Sequence, residues 1–273
     1  NEKRLEALTI RDRTFLESKD GRLYAEPSVL CGLDTWVLRT RYSWSGSVHA
    51  KCEVEYFKSF FPGTFITATG KIIDQYEKRG GRYFVSEVNT RDEHGNILCR
   101  VRNTMLLNLK ELLEYKKTMV KSKKNNSGKK NENKEENKSE VCLSFEQKEL
   151  TMDNILLFWE IEESIYGSYP CIHNTVRLAK EAGLADIVAP GRYSIGLLNA
   201  MFGNIWGELW LQRGKYEVYF LNNLLPGVLP KVTAEAMMGN TDGSSDKKKV
   251  FNVVCRDNAS NKHLLAGRAS VYI

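Results

Sequence analysis

No stretch of the chain approaches the roughly 20 consecutive apolar residues that a membrane-spanning helix needs. The longest apolar run, around NILLFW at 154–159, is cut by Glu160. The six cysteines (31, 52, 99, 142, 171 and 255) lie far apart and form no CxxC pair. That spacing argues against a disulfide framework or a zinc site and suits reduced thiols in a cytosolic protein. The four histidines (49, 94, 173 and 263) are equally scattered, so no metal ligation is expected. There is no glycine-rich phosphate loop and no GxSxG elbow. Residues 1–10, NEKRLEALTI, are charged and lack the apolar stretch of a signal peptide, and the expected location is cytoplasmic.

Charge also excludes something. The net charge of +6 suggests nucleic acid at first sight. Residues 121–140, KSKKNNSGKKNENKEENKSE, hold seven Lys against four Glu and so carry half of it. The remainder shows no basic stripe interleaved with aromatics, and no nucleic-acid partner is expected. The segment 119–141 lacks aromatic residues and cannot bury enough apolar surface to offset its ordering entropy. It reads as a disordered, charged linker. The chain as a whole is 42% hydrophobic and 10% aromatic, which argues against wholesale disorder.

On either side of the linker the sequence repeats. Pro62-Gly63 corresponds to Pro226-Gly227, Arg91-Asp92 to Arg256-Asp257, and Arg102 to Arg268, at offsets of 164 to 166. Segments such as FITATGKII and FVSEVNT alternate β-branched or aromatic residues with polar ones, as half-buried strands do. DEHGN and DNASN supply residues that tolerate positive φ and read as hairpin turns. A helix is expected through TMDNILLFWEIEES. Another is expected through VRLAKEAG, capped by Asn174 or Thr175 and closed by Gly183. The segment 194–206, SIGLLNAMFGNIW, is apolar nearly all round and predicts a buried helix. The fold class is α+β, with antiparallel strands wrapped around a long apolar helix once per half.

These residues resemble the MaoC-like hydratase and dehydratase family, whose members use the hotdog fold. GSYPCIH (167–173), AKEAG (179–183) and IVAPGRYSIGLL (187–198) follow the order of that family's active-site turn, following helix and entry to the central helix. The first half, including HAKCEVEYFKSFFPGTFITATGKIIDQYEKRGGRYF, is similar to the degenerate N-terminal hotdog of two-domain members. AEPSVLCGLDTWV (25–37) would be the remnant of its central helix. The resemblance implies a double hotdog, two antiparallel sheets each around a central helix. The halves would be residues 1–118 and 142–273, the second carrying the active site. It implies cofactor-free hydration of a trans-2-enoyl thioester, or the reverse, on CoA or a carrier. His173 would be the general base and the Gly191 amide the oxyanion donor, with Tyr166 and Tyr169 offering hydroxyls in the same turn.

Three positions depart from the family pattern. Ser168 stands where the family has its acidic Asp and is the second catalytic candidate beside His173, able to hold a water by hydrogen bond; Pro170 stands where the family has an Asn, and Pro190 where it has a His. Glu162, Glu163 and Asp186 are the nearby carboxylates that could substitute, and Cys171 reads as a buried thiol. The alternatives are a non-catalytic or partner-dependent acyl-CoA-binding hotdog subunit, or an acyl-CoA thioesterase; the protein partner expected is a second copy of the chain or a hotdog partner subunit. Trp206, Trp210 and Tyr216 read as core before tunnel lining.

Overall fold

The computed structural model describes residues 2–8, 10, 16–39, 41–42, 47–108, 142–237 and 248–273. The expected linker, 119–141, lies outside these residues. The elements run α1 (Glu2–Ala7), a 3-10 turn (Pro27–Gly32), α2 (Leu33–Arg39), β1 (Val48–Tyr56), β2 (Ile66–Lys78), β3 (Gly81–Asp92) and β4 (Ile97–Leu106). They continue with β5 (Cys142–Glu146), α3 (Met152–Tyr166), α4 (Val176–Glu181), α5 (Gly191–Trp206), α6 (Glu208–Arg213), β6 (Gly214–Phe220), β7 (Pro230–Ala236), β8 (Lys248–Asp257) and β9 (His263–Tyr272).

Among the described residues the strands form one antiparallel sheet in the order β2-β3-β4-β1-β6-β9-β8-β7-β5. Each half contributes four strands in the same relative order, with β5 added at the far edge. The two sheets expected from the sequence are therefore fused, through antiparallel pairing of β1 with β6. Glu53 pairs directly with Glu217, and these two residues are 164 positions apart, the same offset that relates the two Pro-Gly turns. The repeat thus continues through KCEVEY and KYEVYF, and a local two-fold passes between the two glutamates.

Two like charges placed opposite each other destabilise a sheet. Lys51 answers this on the outward face, with Nζ 2.5 Å from Glu53 and 2.7 Å from Glu217. Burial lowers the Lys51 pKa, but its bonds to Glu217 and Glu53 outweigh that and hold it raised. Arg102 and Arg268 continue the row on either side, paired in register with Glu53 and Glu217.

The other repeated positions are equivalent in conformation as well. Gly63 and Gly227 both adopt positive φ, 90° and 87°, before β2 and β7. Asp92 and Asp257 both turn their carboxylates onto backbone amides of the hairpin that follows.

The inward face of the sheet wraps α5. Arg192 through Gly203 are all buried, as an all-round apolar helix demands. Leu197, Leu198, Met201 and Phe202 are each at most 2% exposed, and burying each stabilises the fold by roughly 2 kcal/mol. Gly196 has no side chain because a Cβ there would meet Leu8, which follows α1, at 2.8 Å. Trp210 and Tyr216 are core, at 0% and 1% exposure, and Trp206 stacks on Phe202. Among the described residues of the N-terminal half, the corresponding place is held by the 3-10 turn and the seven residues of α2. Among the described residues no helix is long and apolar enough to cross a membrane.

Candidate functional site

α3 starts at a capping box in which Thr151 and Asn154 each accept the other's backbone amide. It ends at Gly167, whose φ of 85° turns the chain out of the helix. The turn that follows, residues 168–175, is held by Asn174. Its Oδ1 accepts the Cys171 amide at 2.8 Å, and its Nδ2 donates to Glu163 at 3.0 Å and to the Tyr169 carbonyl at 3.1 Å. Asn174 therefore works as a staple of the turn. Thr175 is the N-cap of α4, although it makes no side-chain capping bond.

The staple presents His173 to a cavity of about 930 Å³ lying between the two halves of the chain. The Nδ1–H of His173 donates to the Val188 carbonyl at 2.8 Å, and the ring leans on Trp159 with centroids 5.1 Å apart. That bond fixes the tautomer and leaves Nε2 carrying the lone pair. Among the described residues no other side chain hydrogen-bonds this imidazole, so no carboxylate orients it. Burial, reinforced by the nearby cation of Arg192, pulls its pKa down to about 4 despite the opposing Val188 bond. The ring is neutral at pH 7.

The remaining sequence candidates separate cleanly. Tyr169 and Gly191 line the same cavity as His173. Tyr169 packs edge-on to Trp159, with centroids 5.2 Å apart. Ser168 does not line the cavity; it is exposed, and its hydroxyl donates to Glu163 at 3.1 Å. The side chain of Tyr166 lies outside what the structure describes. Pro190 is the N-cap of α5, so Gly191 opens the first turn, where backbone amides have no partner inside the helix. A Cβ on Gly191 would meet the Phe220 ring at 2.9 Å, which is why this position has no side chain.

The carboxylates divide in the same way. Glu163 gathers donors from Trp159, Ser168 and Asn174 and holds the turn together. Asp186 caps the Ile187 amide. Glu162 is 1% exposed and pairs with Arg192 at 2.5 Å beneath the start of α5. Arg192 reaches that position by lying against Gly32, where a Cβ would stand 2.7 Å from its Nε. Cys171 is held as a thiol, since burial raises its pKa to about 11. Sequence reasoning missed Arg192 altogether. An arginine in an otherwise apolar helix, beside a glycine of the other half, is the signal that was present.

No protein-family model and no curated protein sequence matches the chain. Solved structures do. A MaoC-like dehydratase superposes with a TM-score of 0.71 over 100% of this chain and 92% of its own, at 13% identity. HtdX of Mycobacterium tuberculosis gives 0.58 over 98% and 92%, also at 13% identity. A conserved Mycobacterium tuberculosis protein with a double hotdog fold, essential for bacterial survival during infection, gives 0.59 over 99% and 90% at 11% identity. At these identities the likeness establishes the fold, which is a double hotdog.

Proposed function

We propose that the chain binds an acyl thioester in the cavity between its halves and adds water to, or removes it from, the conjugated C2–C3 bond. The observation that carries this reading is the locked tautomer of His173. With Nδ1–H committed to Val188, the Nε2 lone pair is the one basic position this ring can offer to a substrate.

A single imidazole suffices for the chemistry. Nε2 takes a proton from water as the hydroxyl bonds to C3, and the double-bond electrons move to C2. The charge collects on the thioester oxygen as an enolate, which the Gly191 N–H and the positive end of α5 stabilise. The imidazolium then returns the same proton to C2. Water's oxygen and both its hydrogens are accounted for, and addition is to one face. A base with a pKa near 4 is weak, but its conjugate acid gives the proton back readily. Support for the reading also comes from the fold, shared with proteins called MaoC-like dehydratases.

The test is loss of the conjugated absorbance of a short trans-2-enoyl-CoA. Turnover is expected, with His173→Ala reducing it about 10²–10⁴-fold. Turnover that survives this substitution refutes the assigned base. A second reading, an acyl-thioester-binding subunit that needs a partner for catalysis, is favoured by Ser168, which offers the cavity no acid. Tight binding of acyl-CoA without turnover selects it. Release of free CoA thiol selects thioester hydrolysis instead.

A further inference from the structure

We infer that His49, from the N-terminal half, is the second hydrogen-bond donor to the thioester oxygen beside the Gly191 amide. This rests on the reading above, that the cavity holds an acyl thioester.

Cys52, Val54 and Tyr56 of β1 face the core, and Lys51, Glu53 and Glu55 face outward. Strict alternation would put His49 outward with the second set. A bulge between His49 and Lys51 breaks the register with β4 and turns the imidazole the other way. Bulges are the means by which a sheet re-aims one side chain. Here the re-aimed ring lines the same cavity as His173, with its centroid 5.8 Å from that of Phe220. Its Nδ1 is 3.4 Å from the point where a Gly191 side chain would begin.

The protonation pattern fits a donor. Among the described residues, Nε2 is enclosed and has no hydrogen-bond partner. An enclosed N–H without an acceptor is rarer and costlier than an enclosed lone pair, so the proton belongs on Nδ1, at the cavity wall. The charged groups near the ring are Asp34, which favours the cation, and Arg192, which opposes it. Burial decides, and the ring stays neutral at pH 7, with a pKa of about 4. A neutral imidazole is a suitable electrophile here, because it donates to a developing enolate oxygen without giving its proton away. His173 and His49 thus divide the work. One moves a proton at carbon, and the other holds the oxygen.

The experiment is vibrational spectroscopy of a saturated acyl-CoA, ¹³C-labelled at the thioester carbonyl, bound to the full chain. In the wild type the carbonyl stretch is expected to fall below its value in water. It should relax part of the way back in both His49→Ala and His49→Phe, and stay low in His49→Gln, which keeps an N–H donor. Enoyl-CoA turnover should drop about 10²–10³-fold in the two donor-free variants, mainly in kcat. A stretch that is the same in all four proteins overturns the role of His49 alone. A lowered stretch in a wild type that does not turn over enoyl-CoA keeps His49 as donor and removes the hydratase reading. A wild type that does not bind the acyl-CoA overturns both. In ¹⁵N-histidine spectra of the unmutated protein, the His49 Nδ1 signal should move when the ligand is added, and an unmoved signal counts against the proposal.

Discussion

Acid should unfold this protein through its two cavity imidazoles. Both have pKa values near 4 in the folded chain, against 6.5 for free histidine. The unfolded chain therefore binds more protons than the folded one between those values, and stability falls as pH drops through that window. Linkage gives about 2 kcal/mol lost per histidine at pH 5, rising to about 3 kcal/mol each once pH is below the folded pKa. For the pair, roughly 4 kcal/mol at pH 5 is a large share of a typical reserve of about 5–15 kcal/mol. Well above pH 7 both rings are neutral in either state and contribute nothing to the slope. The assay is urea denaturation at pH 7.5, 6 and 5 of the wild type and of His49→Gln/His173→Gln. The double variant starts lower at pH 7.5, but its stability should decline about 4 kcal/mol less by pH 5. Equal declines in the two proteins would refute the assignment of neutral rings.

Other expectations follow from single contacts. Glu162→Ala removes the carboxylate that lies 2.5 Å from the guanidinium of Arg192, whose side chain is 6% exposed, and should cost about 3–5 kcal/mol by denaturant titration. Glu162→Leu with Arg192→Met should cost much less than the two single changes together. Gly267→Ala places a Cβ 2.0 Å from the Glu217 carbonyl where β6 and β9 pair, so it should yield no soluble folded protein on expression. Gly191→Ala must displace the Phe220 ring, and should weaken acyl-CoA binding measured by calorimetry more than it lowers the melting temperature. Ser168→Ala removes one of three donors to Glu163 on the exposed side of the turn, and enoyl-CoA turnover should change less than two-fold.

Much of this architecture is written in local patterns. Period-two alternation, Pro-Gly and Asx turns, and one helix apolar on every side correspond to β2, β3, both hairpins and α5. The repeat was visible at turn residues because turns demand particular residue types. Its extension through KCEVEY and KYEVYF went unread, since these stretches look like any outward-charged strand until pairing sets Glu53 opposite Glu217. The site was legible only where the chain is contiguous. His173, Tyr169 and Gly191 belong to one stretch and do share a cavity, whereas Ser168 turns to Glu163 because the Asn174 staple and Gly167 redirect the backbone between them. Arg192 and His49 were illegible for a different reason. One depends on a glycine 160 positions away and the other on a bulge, and neither long-range packing nor a slip of register leaves a periodic trace.

The unequal central helices explain why one cavity serves two similar halves. In the C-terminal half, α5 runs 16 residues and brings its amides and Arg192 to the cavity. In the N-terminal half, the chain between Pro27 and Arg39 is a 3-10 turn joined to a short helix, and Gly32 within it is the surface on which Arg192 lies. A side chain at Gly32 would push the guanidinium off Glu162, and with it the charge that helps keep both imidazoles neutral. Among its described residues the N-terminal half has no equivalent helix start, and it supplies a wall, a seat for one arginine and, through the bulge in β1, one imidazole. Neither half builds the site alone. The β1–β6 seam, with Lys51 shared between Glu53 and Glu217, is the feature that fixes how the two contributions meet.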